Sequence, residues 1–356
     1  MTRQGGELTR FSYIAFLLVA LSGCSDSGEP IDRSKTVVRG VNYVGVTVTD
    51  LDRAMALYSS AADLSAVEDG VVSNSEFFDA ATGRKGTTAK TRLMKSVNAQ
   101  VMFMEFDDRS DASSATAAVP VNGPGIAHVC YQVNKETGAY EKFLAGGATH
   151  RGAREMVQLS DRNPVQYAYA HDHDGIMVEI EHVDVAALDL PEPPKNNYRL
   201  RHVALATPDI DRLVDFYSVF LEEENPRRFG WWIWGLSGEV FDKVSGLKDT
   251  EIQMAWFQIR NLELEIAEFI SHPTDLPKEP RPIDAVGYNM IVFDVSDIEA
   301  ARAKLLDAGG TIVSEVEAMD GGEILFGRDP DGNLLGLQVV DSTLPVSSQN
   351  FDGNGT

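Results

Sequence analysis

Four side chains in this sequence have the types and settings to do chemistry: His128, Glu179, His202 and Glu265. His128 lies in Gly-Ile-Ala-His-Val-Cys-Tyr-Gln-Val (125–133). Read as a strand, this stretch sends His128, Cys130 and Gln132 to one face and Val129, Tyr131 and Val133 to the other. His202 is followed by Val-Ala-Leu much as His128 is followed by Val-Cys-Tyr. Glu179 stands between Val178 and Ile180, and Glu265 between Leu264 and Ile266, so on a strand each carboxylate opposes its apolar neighbours. Imidazole and carboxylate are the groups of proton transfer and of metal ligation. Taken singly, each residue has a plainer reading. A histidine beside a core strand usually ends in one satisfied hydrogen bond, and either glutamate could be solvated like Glu181, Glu263 and Glu268 nearby. What decides is whether the fold brings them together, because a carboxylate buried without a partner is costly.

The elements that would position them recur. From Val41 a strand passes at Asp50, a good N-cap, into a helix whose apolar face is Leu51, Ala54, Met55 and Tyr58. The stretch from Leu200 repeats this, with Asp209 as cap and Ile210, Leu213, Phe216 and Tyr217 on the apolar face. Phe78-Asp79, Gly83 and the strand 101–106 then match Phe241-Asp242, Gly246 and the strand 264–269 without a gap. A second unit also occurs twice. The His128 strand leads into a helix with Tyr140, Phe143 and Leu144 that stops at Gly146-Gly147. Its copy runs from Tyr288 to Val295, then through Ile298, Ala301, Leu305 and Leu306 to Gly309-Gly310. Asp-His-Asp-Gly and Asp-Pro-Asp-Gly turns introduce the last strands, 172–180 and 329–337, since glycine tolerates the positive φ such turns need. The chain is thus four versions of one unit.

With 356 residues, 43% hydrophobic and 24% charged, the chain is long enough for two cores. A net charge of −23 with no basic stripe argues against nucleic acid and against anionic membrane surfaces as partners. Arg3 and Arg10 precede the apolar run Phe11–Leu21, too short for a membrane span, which ends in Leu21-Ser22-Gly23-Cys24. This end resembles a bacterial lipobox. The resemblance implies a lipoprotein signal peptide over 1–23, a lipid-bearing Cys24 and, because Ser25 follows, an outer-membrane address, periplasm-facing or at the cell surface. A plain secretory signal with an incidental cysteine is the alternative. One lipid chain anchors weakly, so multiple acylation is needed. With Cys24 committed to the anchor, Cys130 has no disulfide partner and no Cys-rich zinc site can form. Residues 24–38 read as a tether and 341–356 as a disordered tail.

The fourfold repeat, its Ala-His-Val-Cys-Tyr-Gln-Val type of strand, its Asp-Leu-Asp-Arg-Ala helix and its Asp-Pro-Asp-Gly turn resemble the vicinal oxygen chelate superfamily, which includes glyoxalase I, extradiol dioxygenases and bleomycin resistance proteins. The resemblance spans about 38–340. It implies an α+β fold of four βαβββ modules, paired into two domains whose curved mixed sheets enclose cavities. In chain order these would be 39–187 and 199–340, joined by a Pro-rich linker over 188–198. It also implies that each module offers one metal ligand from its first strand and one from its last. The second module then offers His128 and Glu179, and the third His202 and Glu265. The first has Tyr43 and Met102 at those places, or Glu105 if the alignment carries a gap, and the fourth has Met290 and Gly336. Sequential pairing leaves both sites broken. Crossed pairing, two with three and one with four, gives one complete site and one fully degenerate site, and is favoured on that ground.

Two imidazoles and two carboxylates suit zinc, nickel, cobalt, iron or manganese without choosing among them. Such an ion polarises a carbonyl or enediolate, and Glu179 or Glu265 could leave it to act as the catalytic base, as the resemblance to glyoxalase I implies. The expected function is a metal-dependent lyase or isomerase acting on a small substrate with vicinal oxygens. The export signal argues against a glutathione adduct, which is mainly cytoplasmic. Non-catalytic sequestration of a small molecule, as in bleomycin resistance proteins, is the alternative; an extradiol dioxygenase is a further one, weakened by the fourth ligand. The lipid anchor would be the sole membrane contact, and a monomer is compatible with the chain. The run Trp231-Trp232-Ile233-Trp234 reads as packing or as a pocket wall, and His171, His173 and His182 as residues of an exposed loop outside the site.

Overall fold

The computed structural model describes residues 31–160, 163–188, 190–230 and 235–355. The expected signal peptide over 1–23, Cys24 and the Trp231–Trp234 run lie outside the described residues. No helix among the described residues is long and apolar enough to cross a membrane.

The first module is strand β1 (Val38–Thr47), helix α1 (Leu51–Ala62), β2 (Ser65–Val72), α2 (Glu76–Thr82), β3 (Ala89–Lys95) and β4 (Gln100–Phe106), followed by the short helix α3 (Asp111–Ala115). The second is β5 (Gly125–Asn134), α4 (Ala139–Ala145), β6 (Thr149–Arg151), β7 (Val157–Ser160), β8 (Asn163–His171) and β9 (Met177–Val183). The third is β10 (Tyr198–Ala206), α5 (Ile210–Phe220), β11 (Arg227–Phe229), β12 (Leu236–Ser237), α6 (Glu239–Ser245), β13 (Glu251–Ile259) and β14 (Leu262–Phe269). The fourth is β15 (Gly287–Val295), α7 (Ile298–Asp307), β16 (Thr311–Ile312), β17 (Glu317–Met319), β18 (Gly322–Arg328) and β19 (Leu334–Val339). The helix starts are chemically specified: Asp50 and Asp209 accept the backbone N–H of Arg53 and Arg212 at 2.9 and 3.0 Å.

Two mixed sheets result, and each joins modules from opposite halves of the chain. One runs β16-β18-β19-β15-β1-β4-β3-β2, so it unites modules four and one. The other runs β11-β13-β14-β10-β5-β9-β8-β6 and unites modules three and two. The seams are antiparallel, β1 on β15 and β5 on β10, whereas within each module the first strand lies parallel to the last. The pairing is therefore crossed, and the segments 39–187 and 199–340 each contribute to both sheets.

Consecutive modules meet instead through their helices, α1 on α4 and α5 on α7. Two matching hydrogen bonds join them, from Tyr58 Oη to Asp172 Oδ2 and from Tyr217 Oη to Asp329 Oδ2, both 3.0 Å. The helices and the sheet faces toward them form one continuous core that takes in Val129, Tyr131, Val133, Val178, Ile180, Leu264 and Ile266. This is the apolar half of the alternation read from the sequence.

The concave faces differ. In the sheet of modules one and four this face is filled: Tyr43, Phe77, Phe78, Met102, Met290 and Phe326 pack in one apolar cluster, with Phe77 stacked on Phe326 at 3.9 Å between ring centroids. The degenerate ligand positions thus line a packed core where an enclosed cavity was expected. Both chain ends also depart from expectation. Residues 341–355 are no free tail: Val346, Ser347, Ser348 and Phe351 are buried, Gln100 Nε2 donates to the Val346 carbonyl at 2.9 Å, and Ser348 Oγ donates to Asp294 at 2.9 Å. The tether docks by Arg33, buried, whose guanidinium meets the carbonyls of Leu221 and Gln258 and, at 2.5 Å, Glu223. A tether and a disordered tail were expected, but specific contacts hold the described parts of both.

Candidate metal centre

The seam of the second sheet carries the site. β14, β10, β5 and β9 are its four central strands, and each presents one of the four residues singled out above: Glu265, His202, His128 and Glu179. All four are buried, at 1–6% exposure. His128 Nε2 and His202 Nε2 lie 3.3 Å apart. Glu179 Oε2 is 2.9 Å from His202 Nε2 and 3.2 Å from His128 Nε2, and Glu265 Oε2 is 3.6 Å from His202 Nε2.

Register explains why these positions are equivalent. β5 and β9 run with Cys130 beside Glu179, and β10 and β14 with Ala204 beside Glu265; in both, the histidine lies two residues before the glutamate's neighbour. The same offset from Tyr43 reaches Gly45 beside Met102, and from Met290 reaches Val292 beside Gly336. Met102 therefore occupies the position equivalent to Glu179 and Glu265. Glu105 serves the helix instead. Its carboxylate accepts the N–H of Leu51 at 2.8 Å at the start of α1, as Glu268 accepts that of Ile210 at 2.9 Å at the start of α5. A carboxylate at a helix N-terminus satisfies a backbone donor that has no intrahelical partner.

Electrostatics bind the four groups to one another. Burial pushes the Glu179 carboxyl up, but His128 and His202 outweigh it and hold the group below its ordinary value. Burial pulls His202 down, while Glu265 and Glu179 more than restore it, so its value is raised. Cys130, on the same face, is a free thiol driven well above its ordinary value by burial, then by Glu181 and Glu179. Along the floor Arg201 joins Glu181 to Glu263, and Glu263 also pairs with Arg227 at 3.2 Å.

The arrangement fits a cation. Two nitrogens each about 2.1 Å from one ion are roughly 3.0–3.4 Å apart, and the observed separation falls in that range. Glu179 Oε2 is buried and has no well-formed hydrogen bond among the described residues, as a metal-ligating atom would. His128, His202 and Glu265 also form a compact set of candidate donor atoms, all within 4.8 Å of one another.

Of the other residues considered, His182 corrects the sequence reading. It is buried in β9, where its Nε2 accepts the N–H of Tyr140 at 3.2 Å, not in an exposed loop. His171 closes β8 and is half-buried, and His173 is exposed in the turn. Two residues not singled out in the sequence flank the centre. Trp256 donates from Nε1 to Glu265 Oε2 at 2.7 Å, and the Tyr169 ring lies 5.0 Å from that of His128. The two-residue connection Arg260-Asn261 fixes the β13–β14 register, so the pairing of Trp256 with Glu265 was countable from the sequence once the hairpin was recognised.

Residues 199–337 match the family model described as the Glyoxalase/Bleomycin resistance protein/Dioxygenase superfamily. The match covers the third and fourth modules. Solved structures extend the glyoxalase-like fold over most of the chain. Glyoxalase I from Zea mays superposes with a TM-score of 0.55 at 17% identity, over 84% of this chain and 92% of that one. A candidate dioxygenase from Bacillus subtilis subsp. subtilis str. 168 gives a TM-score of 0.53 at 12% identity, over 89% of each chain. No curated protein matches the sequence. The glyoxalase-like fold, with its two curled mixed sheets, is therefore shared, and the ligand chemistry must be argued from the residues.

Proposed function

We propose that this chain is an exported, lipid-anchored metalloprotein in which His128, Glu179, His202 and Glu265 hold one divalent ion. Its activity is that of a metal-dependent lyase or isomerase acting on a small substrate with vicinal oxygens. The observation that carries the reading is the convergence of two imidazole nitrogens and a carboxylate oxygen within 3.3 Å of one another at a buried seam. Without a cation, such a cluster holds a carboxylate oxygen with no hydrogen-bond donor of good geometry. When bound, the ion supplies Lewis-acid polarisation of a substrate oxygen. The chain's own residues supply the rest. The two histidines fix the donor geometry from adjacent antiparallel strands, the buried walls limit water, and a carboxylate accepts the proton α to the polarised carbonyl. The filled concave face of the other sheet makes that half a structural support for the centre.

Metal analysis of the purified protein tests the reading. About one divalent ion per chain is expected, lost alike in His128→Ala and His202→Ala. Absence of metal after reconstitution would overturn it in favour of a sequestering protein. Retention of metal by His202→Ala would remove β10 from the centre. For the anchor, radiolabelled fatty acid should enter the protein and vanish in Cys24→Ser; persistent label would exclude lipidation at that cysteine.

A further inference from the structure

We infer that Trp256 is a positioning residue of the centre: it holds Glu265, while Glu179 lacks an equivalent partner. The inference rests on the metal reading above. The centre is built on a near-twofold plan, modules two and three meeting across the β5–β10 seam, so each glutamate has a counterpart neighbour on the next strand out. Opposite Glu265 stands Trp256 on β13, and opposite Glu179 stands Tyr169 on β8. The two neighbours behave differently. The indole Nε1–H of Trp256 donates to Glu265 Oε2 at 2.7 Å. The Tyr169 ring turns toward His128, and Glu179 receives no hydrogen bond from it among the described residues.

The indole is itself fixed. The Arg227 guanidinium lies 4.6 Å from its ring centroid, a cation–π distance. Arg227 is paired with Glu263 at 3.2 Å, and Glu263 with Arg201 at 3.3 Å. Glu265 is thus held through a chain of partners rooted in the sheet, and an outer hydrogen bond of this kind orients a ligand and holds it on its ion. Glu179 has only the two imidazoles at 2.9 and 3.2 Å, groups the ion itself would engage. Its Oε2 has no counterpart of the indole donor among the described residues.

The test uses the full-length protein with Co²⁺ and Zn²⁺, following affinity by competition with a chelator and geometry by the visible Co²⁺ absorption. Trp256→Phe should weaken binding about 10- to 100-fold and alter the cobalt spectrum, whereas Tyr169→Phe should leave both unchanged. Glu265→Gln should cost more affinity than Glu179→Gln, and adding Trp256→Phe to Glu265→Gln should cost little more, because the two act through one contact. Wild-type affinity in Trp256→Phe, equal losses in Trp256→Phe and Tyr169→Phe, or additive losses in the double variant would each overturn the positioning role while leaving the metal reading intact. Failure of the wild type to bind either ion would instead remove the metal reading itself. Should Trp256→Phe not fold, the two glutamine variants decide, and equal losses in them overturn the inference.

Discussion

Asp329 offers a quantitative test of how the modules are joined. Its carboxylate sits in the Asp-Pro-Asp-Gly turn between β18 and β19, where Oδ1 accepts the N–H of Asp331 and Asn333 at 3.0 and 2.9 Å. Oδ2 accepts Asn333 Nδ2 at 2.8 Å and Tyr217 Oη at 3.0 Å. Burial, only partly offset by these donors, pushes the group from 3.8 up to about 7. The native state therefore holds a proton that the unfolded chain releases at lower pH. Stability from this group is fully present below pH 3.8 and is lost as pH rises toward 7. At 1.36 kcal/mol per unit the whole window spans about 4 kcal/mol, of which about 2 to 3 kcal/mol falls between pH 5 and pH 8. Asp329→Asn removes the titration and keeps an acceptor for the turn amides. Urea unfolding of both proteins at pH 5 and pH 8, with chelator present to silence the metal centre, should show the wild type losing that amount relative to the variant. Parallel stability curves would refute the reasoning. The counterpart Asp172, bonded to Tyr58 and pushed by burial up to about 6, should behave in the same sense with a smaller amplitude, about 3 kcal/mol over its whole window.

Two further outcomes follow from the same packing. Phe326→Ala should destabilise the protein by about 3–5 kcal/mol, because a fully buried ring stacked on Phe77 leaves a cavity. Its metal content should not change, since the two concave faces are separate, and calorimetry with metal analysis checks both. Glu105→Ala and Glu268→Ala should each cost about 1 kcal/mol through the loss of a helix-start acceptor, with metal bound as in the wild type. Loss of metal in Glu105→Ala would contradict the assignment of Met102 to the ligand position.

Much of the molecule was legible in the residues. Caps at Asp50 and Asp209, the strand alternation around His128 and the fourfold repeat are local patterns, and local patterns fix elements and their buried faces. The equivalence of His128 with His202 and of Glu179 with Glu265 came from the superfamily resemblance laid onto the repeats, and parallel register within each module keeps the two pairs at matching offsets. The ends were misread because composition cannot foresee specific long-range bonds, such as that from Ser348 to Asp294 or from Arg33 to Glu223. His182 was misread for the same reason: its acceptor role depends on the helix start at Tyr140, over forty positions earlier in the chain.

Which modules share a sheet is a different kind of question. Any pair of first strands could form an antiparallel seam, and the sequence supplied only an indirect argument, the clean partition of ligands into one complete and one degenerate set. The tertiary structure decided it, placing β5 on β10 and β1 on β15. That choice brings His128 to His202 and packs Tyr43, Met102 and Met290 into an apolar core. The sequence by itself determined the candidate donor groups and their spacing along each strand. Only the folded chain determined that they meet at one buried seam, because the distance between strands from different modules depends on how sheets associate.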